Sequence, residues 1–202
     1  KEVGITALMD FVMDAAVSPA DAGPRVAIDG EEEVELNADP DGEPALICFK
    51  TLSDPYVGQV SLLRVLQGTV SADEDVYNTR SEERERLSSL GVNQAQESEN
   101  VEQLVAGDMG SAVRLDETAT GDTLAPQNSE LVVPRPVAPD SMYAVAVTAA
   151  TRADADKMSD ALTRLTAEDM GLKYERNVET GELLLKGLGP MHLDVAVAKL
   201  RK

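Results

Sequence analysis

From Gly181 to Lys202 the chain reads GELLLKGLGPMHLDVAVAKLRK, and this stretch leaves little freedom of fold. The leucines at 183–185 form a strand-like run that feeds a Gly-Leu-Gly-Pro turn. Pro190 then stands where a helix begins, because its missing N–H would have no helical partner in the first turn. Leu193, Val197 and Leu200 follow at i, i+4 and i+7, which predicts one buried stripe along that helix.

The alternation extends upstream. Met142–Ala149 is almost continuously apolar, as expected of a strand in a central position. Asp154–Asp169 reads as a helix, with Ala155, Met158, Leu162 and Leu165 on one face and Asp154 and Asp156 at its positive end. Leu172, Tyr174 and Val178 lie on one side of a following strand, and Lys173, Glu175 and Asn177 on the other; Glu179-Thr180-Gly181 then turns a hairpin. The order over 141–202 is β-α-β-β-α, a split βαβ, ferredoxin-like unit without its last strand. The first strand would be left with unpaired backbone groups, which suggests that the chain stops short of that domain's end.

Residues 45–127 read as all-β. Strands are expected at Ala45–Leu52, Gln59–Leu66, Asp75–Thr79 and Met109–Leu115, with turns at Ser53–Gly58, Gln67-Gly68-Thr69 and Ala106-Gly107-Asp108, and Gly121-Asp122-Thr123-Leu124 closing the segment. Short strands at this spacing favour a small closed barrel. Ser81–Glu102 is polar and fits no single pattern. Pro134, Pro136 and Pro139 make 128–140 a stiff, Pro-rich connector between two cores, and its natural pivot. At the other end, Ile5, Leu8, Phe11, Val12 and Ala15 share a face of an amphipathic helix over 4–16, ended by Ser18-Pro19. Residues 20–44, rich in Asp, Glu, Gly and Pro, read as an acidic linker or poorly ordered strap. The expected fold class is multidomain, β followed by α+β.

Composition limits the chemistry. Aromatics make up 3% and Trp is absent, so the cores must be built from Val, Leu, Ala and Met. No apolar run approaches the roughly 20 residues of a membrane helix and no signal peptide is visible. The single cysteine, Cys48, lies in an apolar run, as a buried free thiol of a cytoplasmic protein would. Net charge is −19, which argues against electrostatic wrapping of nucleic acid. Residues 1–44 hold 2 basic and 12 acidic side chains, 45–127 hold 6 and 14, and 130–202 hold 10 and 11. An RNA contact would therefore need a local cluster of cations rather than a basic domain.

No phosphate-cradling G-x-x-x-x-G-K-[ST] occurs, and Gly187-Leu188-Gly189 lacks the third glycine of a dinucleotide turn. His192 is the only histidine, so no histidine dyad or His-based metal cluster can form within the chain. Arg80, Arg84 and Arg86 make the densest basic cluster, with Glu82, Glu83 and Glu85 interleaved. On a helix, i,i+4 pairing would explain them; the other reading is a phosphate contact. No residue is assigned to catalysis, a cofactor or a metal.

The ordered set of short motifs carries a resemblance. The turn and helix at 187–194 resemble the G-x-G-E-x-H-L-[DE] segment in the third domain of elongation factor G, the ribosomal translocase. Gly4–Ala20 is similar to the last helix of that family's GTPase domain. Phe49-Lys50, Asp54-Pro55, Gly58, Arg64-Val65, Gly68-Thr69, Asp75-Val76, Asn78, Ala106-Gly107-Asp108 and Gly121-Asp122-Thr123-Leu124 match its β-barrel domain. Thr151-Arg152-Ala153-Asp154, Asp156-Lys157-Met158, Ala161-Leu162, Arg164-Leu165, Glu168-Asp169 and Glu179-Thr180-Gly181 match its third domain. Three departures stand out: Pro190 in place of the usual Glu, no positive charge in Ser88–Val92, and the acidic stretch 31–43.

The resemblance implies a division of the chain. Residues 1–19 would be the C-terminal helix of a GTPase domain, 20–44 an acidic linker, and 45–127 the translation-factor β-barrel. Residues 128–140 would be the connector and 141–202 the truncated ferredoxin-like domain. It implies a parent protein that binds and hydrolyses GTP with Mg upstream, acts in translocation, and docks on small-subunit ribosomal RNA, with no membrane or DNA partner. Arg64, Gly68, Arg80, Arg84 and His192 are the candidate contacts to the ribosome or to the missing GTPase and distal domains. The alternatives are a diverged paralogue, such as a ribosomal-protection or ribosome-recycling GTPase, and a stand-alone acidic binding module.

Overall fold

A computed structural model describes residues 3–201 except 55, 96 and 136, with the backbone alone at 153 and 156. Its elements are α1 (Ile5–Ala15), β1 (Arg25–Asp29), β2 (Glu32–Leu36), β3 (Ala45–Asp54), β4 (Gly58–Gln67), β5 (Thr69–Ser71), β6 (Asp75–Asn78), β7 (Glu83–Arg86), β8 (Leu90–Gln94), β9 (Glu97–Val101), β10 (Gln103–Val105), β11 (Met109–Val113), β12 (Thr123–Ala125), β13 (Leu131–Val132), β14 (Tyr143–Val147), α2 (Arg152–Glu168), β15 (Lys173–Arg176), β16 (Leu183–Gly187) and α3 (Pro190–Leu200). Mostly β sheet with few helices, the fold is a β-barrel-like body followed by an α+β unit.

The barrel-like body is an eight-stranded sheet ordered β7-β6-β12-β3-β4-β11-β8-β9, with β10 and β5 paired beside it. One core of Leu46, Leu63, Val65, Val70, Leu104 and Leu124, among others, draws side chains from β3, β4, β5, β10 and β12, so the strands curl around a common centre. The ambiguous stretch 81–102 supplies β7, β8 and β9. Its alternation is masked because β9 buries nothing fully, and β7 buries only Glu85. The cluster Arg80–Arg86 thus lies on a turn and a strand rather than a helix, which removes the i,i+4 account of it.

Residues 20–44 differ from the expected poorly ordered strap. β1 and β2 form an antiparallel hairpin, and β13 pairs onto β1 with Ile28 opposite Val132. Ala27, Leu36, Leu131 and Val133 then pack with Ala45 and Leu66 in a second small core. The loop after β2 is clasped as well: Asn37 N–H donates to the Gln67 side chain at 3.1 Å, and the Thr69 hydroxyl donates to Pro40 C=O at 2.9 Å. A few apolar residues at period two, hidden among the acids, outweigh the disordering composition.

In the α+β unit the sheet order is β14-β16-β15, all antiparallel neighbours, with α2 and α3 on one face. Leu162, Leu165, Leu172, Leu185, Leu193 and Ala196 form its core, so the expected Leu193 stripe is buried, with Val197 and Leu200 partly so. Thr151 caps α2 in a capping box with Asp154: each accepts a hydrogen bond from the other's backbone N–H. Gly187 is required by close approach, because a Cβ there would stand 2.7 Å from Leu193 Cδ2. β14 is an edge strand, not central, and one of its edges is unpaired among the described residues.

α1 buries none of its side chains, although Ile5, Leu8, Phe11 and Val12 share its apolar face. The connector is fixed at its start, where Val133 N–H donates to Thr123 Oγ1 and the Arg135 side chain packs against Gly121. Val137 and Met142 are exposed; of the three connector prolines, Pro136 lies outside the described residues.

Candidate functional site

The two bodies meet where the C-terminal end of α2 reaches the free edge of β3. β12 covers β3 only at Leu46 and Ile47, and a register shift between Cys48 and Lys50 turns the strand beyond it. The N–H groups past that point need other partners. Thr51 N–H donates to Thr120 Oγ1 at 3.0 Å, and Ser53 N–H donates to Glu168 Oε1 at 2.8 Å. The last carbonyls of a helix have no intrahelical donor. Here the Thr51 hydroxyl donates to Ala167 C=O at 2.7 Å and Lys50 Nζ to Glu168 C=O at 3.4 Å. The lysine also sets a cation at the negative end of α2.

His192 and Lys199, near the two ends of α3, face the same helix end. Lys199 Nζ lies 3.0 Å from Glu168 Oε2. Leu188 N–H donates to His192 Nδ1 at 3.2 Å, so Nε2 carries the proton and donates to Asp169 Oδ2 at 2.9 Å. Asp169 also accepts from Gly171 N–H at 2.9 Å. Burial would raise the Asp169 carboxyl, but the His192 and Gly171 hydrogen bonds outweigh it and hold it below its ordinary 3.8. Both residues are thus engaged within the α+β unit.

The arginine cluster is likewise occupied from within. Arg80 Nε donates to Asp122 Oδ1 at 2.6 Å and its terminal nitrogen to Glu117 C=O at 2.8 Å. The Asp122 side chain is 1% exposed. Burial pushes it up, yet Arg80, Ala119 N–H and the Asn78 amide together hold it below 3.8. Beside it, burial raises Glu85 above its ordinary 4.5, although Thr118 and Glu117 N–H donate to it. Arg84 pairs with Asp75 and with Gln127, and Arg86 with Asp73. Arg84 and Arg86 remain more than half exposed, so their outer faces still meet solvent.

Arg64 sits mid-strand on β4, opposite Ile47 and Met109, and its Nε is buried with no partner among the described residues. With Arg25, Pro19 and Gly107 it lines a cleft of about 20 Å³, room for no more than a water molecule. Gly68 adopts a left-handed φ of +77°, and a Cβ there would meet Pro44 backbone at 2.7 Å. Its position is therefore set by the turn into β5. Cys48 is buried, and burial pushes its thiol up to about 12, out of reach of nucleophilic chemistry near neutral pH.

The structure thus holds His192 on Asp169, one residue beyond the part of α2 that meets the barrel, and leaves Arg64, Gly68, Arg80 and Arg84 spread over the barrel. Thr51, Ser53, Glu168 and Lys199 do not stand out in the sequence as site residues, because the strand bulge that aims the first two leaves no local signal. A groove of about 1110 Å³ runs along the open side of β14, lined by Val145, Val147, Met158, Leu193, Val197 and Leu200. No helix among the described residues is long and apolar enough to cross a membrane.

Residues 58–125 match the family model for elongation factor Tu domain 2, and residues 138–202 match that for elongation factor G, domain III. The crystal structure of ttk003000868 from Thermus thermophilus superposes with a TM-score of 0.79 at 29% identity, over 98% of this chain. The chain spans 28% of the length of that protein.

Proposed function

We propose that this chain, which carries two domains typical of translational GTPase elongation factors, belongs to a factor that drives ribosomal translocation. The observation that carries the reading is the pairing itself: a domain-2 barrel and a domain-III unit, in that order, joined by a short connector. In this reading the barrel and the α+β unit dock on small-subunit ribosomal RNA and pass movement between domains. GTP with Mg is bound and hydrolysed upstream, and this part contributes no catalytic residue.

Two surfaces support a larger assembly. The apolar face of α1, with Phe11 66% exposed, suits burial against a GTPase domain. The free edge of β14 and its apolar groove suit a last strand supplied by continuing chain. Within the cluster at 80–86, exposed Arg84 and Arg86 are the cations left to meet phosphate, whereas Arg80 is committed to Asp122.

The test is co-sedimentation of the full-length parent with ribosomes in a non-hydrolysable GTP analogue and in GDP. Binding favoured by the analogue, followed by activity in a translocation assay, is the expected result. Equal absence of binding in both states removes the ribosome from the function.

A further inference from the structure

We propose that Glu168 is an interdomain latch whose closure depends on the seating of α3. Every hydrogen bond between the barrel body and the α+β unit, among the described residues, falls on Ala167 and Glu168. The contact is one helix end against one strand edge, small enough to open and close as a unit. Within it Glu168 alone faces both ways. Oε1 takes the Ser53 N–H of the barrel, and Oε2 takes the Lys199 ammonium of α3. Its side chain is 18% exposed, so the ion pair is partly shielded from solvent.

Lys199 forms no hydrogen bond or ion pair with the barrel among the described residues, yet it fixes the direction in which the Glu168 carboxylate points. The other end of α3 is held through His192 to Asp169, the next residue in the chain. A shift of α3 therefore pulls on both acids at the end of α2. α3 also forms one wall of the groove beside β14, with Leu193, Val197 and Leu200 facing in. Whatever fills that groove sets the position of α3, and through Lys199 and Glu168 it biases docking on the barrel. By linkage, docking biases the groove in return.

The test measures the distance between spin labels at Ser98→Cys on β9 and Thr180→Cys in the β15–β16 turn of the full chain. Cys48 is buried and takes no label. The expected wild-type distribution is narrow. Glu168→Ala and Lys199→Met should each broaden it at least twofold, while Glu175→Gln, which breaks only the Lys186 pair inside the sheet, leaves it narrow. Unchanged circular dichroism shows that α3 is still folded in each variant. Wild-type width in Glu168→Ala overturns the latch. Broadening in Glu168→Ala with wild-type width in Lys199→Met overturns its dependence on α3.

Discussion

Asp122 shows how the barrel stabilises a charge inside itself. Removing its carboxylate strands the Asn78 amide, the Ala119 N–H and the Arg80 guanidinium at once. Asp122→Ala is expected to cost about 3 kcal/mol, read from the denaturant midpoint. The pH dependence has two opposing parts. Asp122 is held below 3.8, so its contribution is complete above that pH and is lost as pH falls through the lower folded value. Glu85 is raised above 4.5, so its contribution is present below 4.5 and is lost as pH rises through the higher folded value. Denaturant titrations from pH 7 to pH 2 should show a shallower acid limb in Asp122→Asn. Glu85→Gln should flatten the region just above pH 4.5. The sequence could place Asp122 only in a closing turn. That it is buried depends on Arg80 and Asn78 arriving from a different strand and turn, which no local pattern encodes.

At the scale of elements, what is legible follows periodicity. α3 starts at Pro190 and buries Leu193 as its spacing predicts, and α2 runs within two residues of its expected start. β1 and β2 are hidden, because in Glu32–Leu36 only Val34 and Leu36 mark the inner face and three glutamates set the composition. β14 reads like a central strand but stands at an edge. Its apolar run serves the helices on one side, and the sequence does not say which strand lies beside it. Leu193→Ala removes a buried side chain below Gly187 and should cost about 2–5 kcal/mol in thermal or denaturant unfolding. Of the candidate site, the sequence shows residue types but not their commitments: Arg80 and His192 are visible, their internal partners are not.

Across the whole molecule, the chain is two bodies, the barrel with its two cores and the α+β unit with one, joined by an exposed connector and one helix-end contact. Val137 is 93% exposed and Met142 84% exposed, and no hydrogen bond ties residues 137–140 to either body among the described residues. Limited proteolysis should cut first in this stretch and release two fragments that each resist further digestion, followed by mass spectrometry. A first cut within 20–44 would show that the β1–β2 hairpin is not held as firmly as its pairing with β13 implies. That pairing also has a temporal side. Ile28 meets Val132 across the whole length of the barrel segment, so during synthesis the hairpin has no third strand until the barrel behind it has been made. Closing so long a loop costs only a few kcal/mol once the barrel has drawn its ends together, and far more before. The acidic hairpin is therefore expected to be among the last parts of this body to settle, although it is among the first to leave the ribosome that makes it.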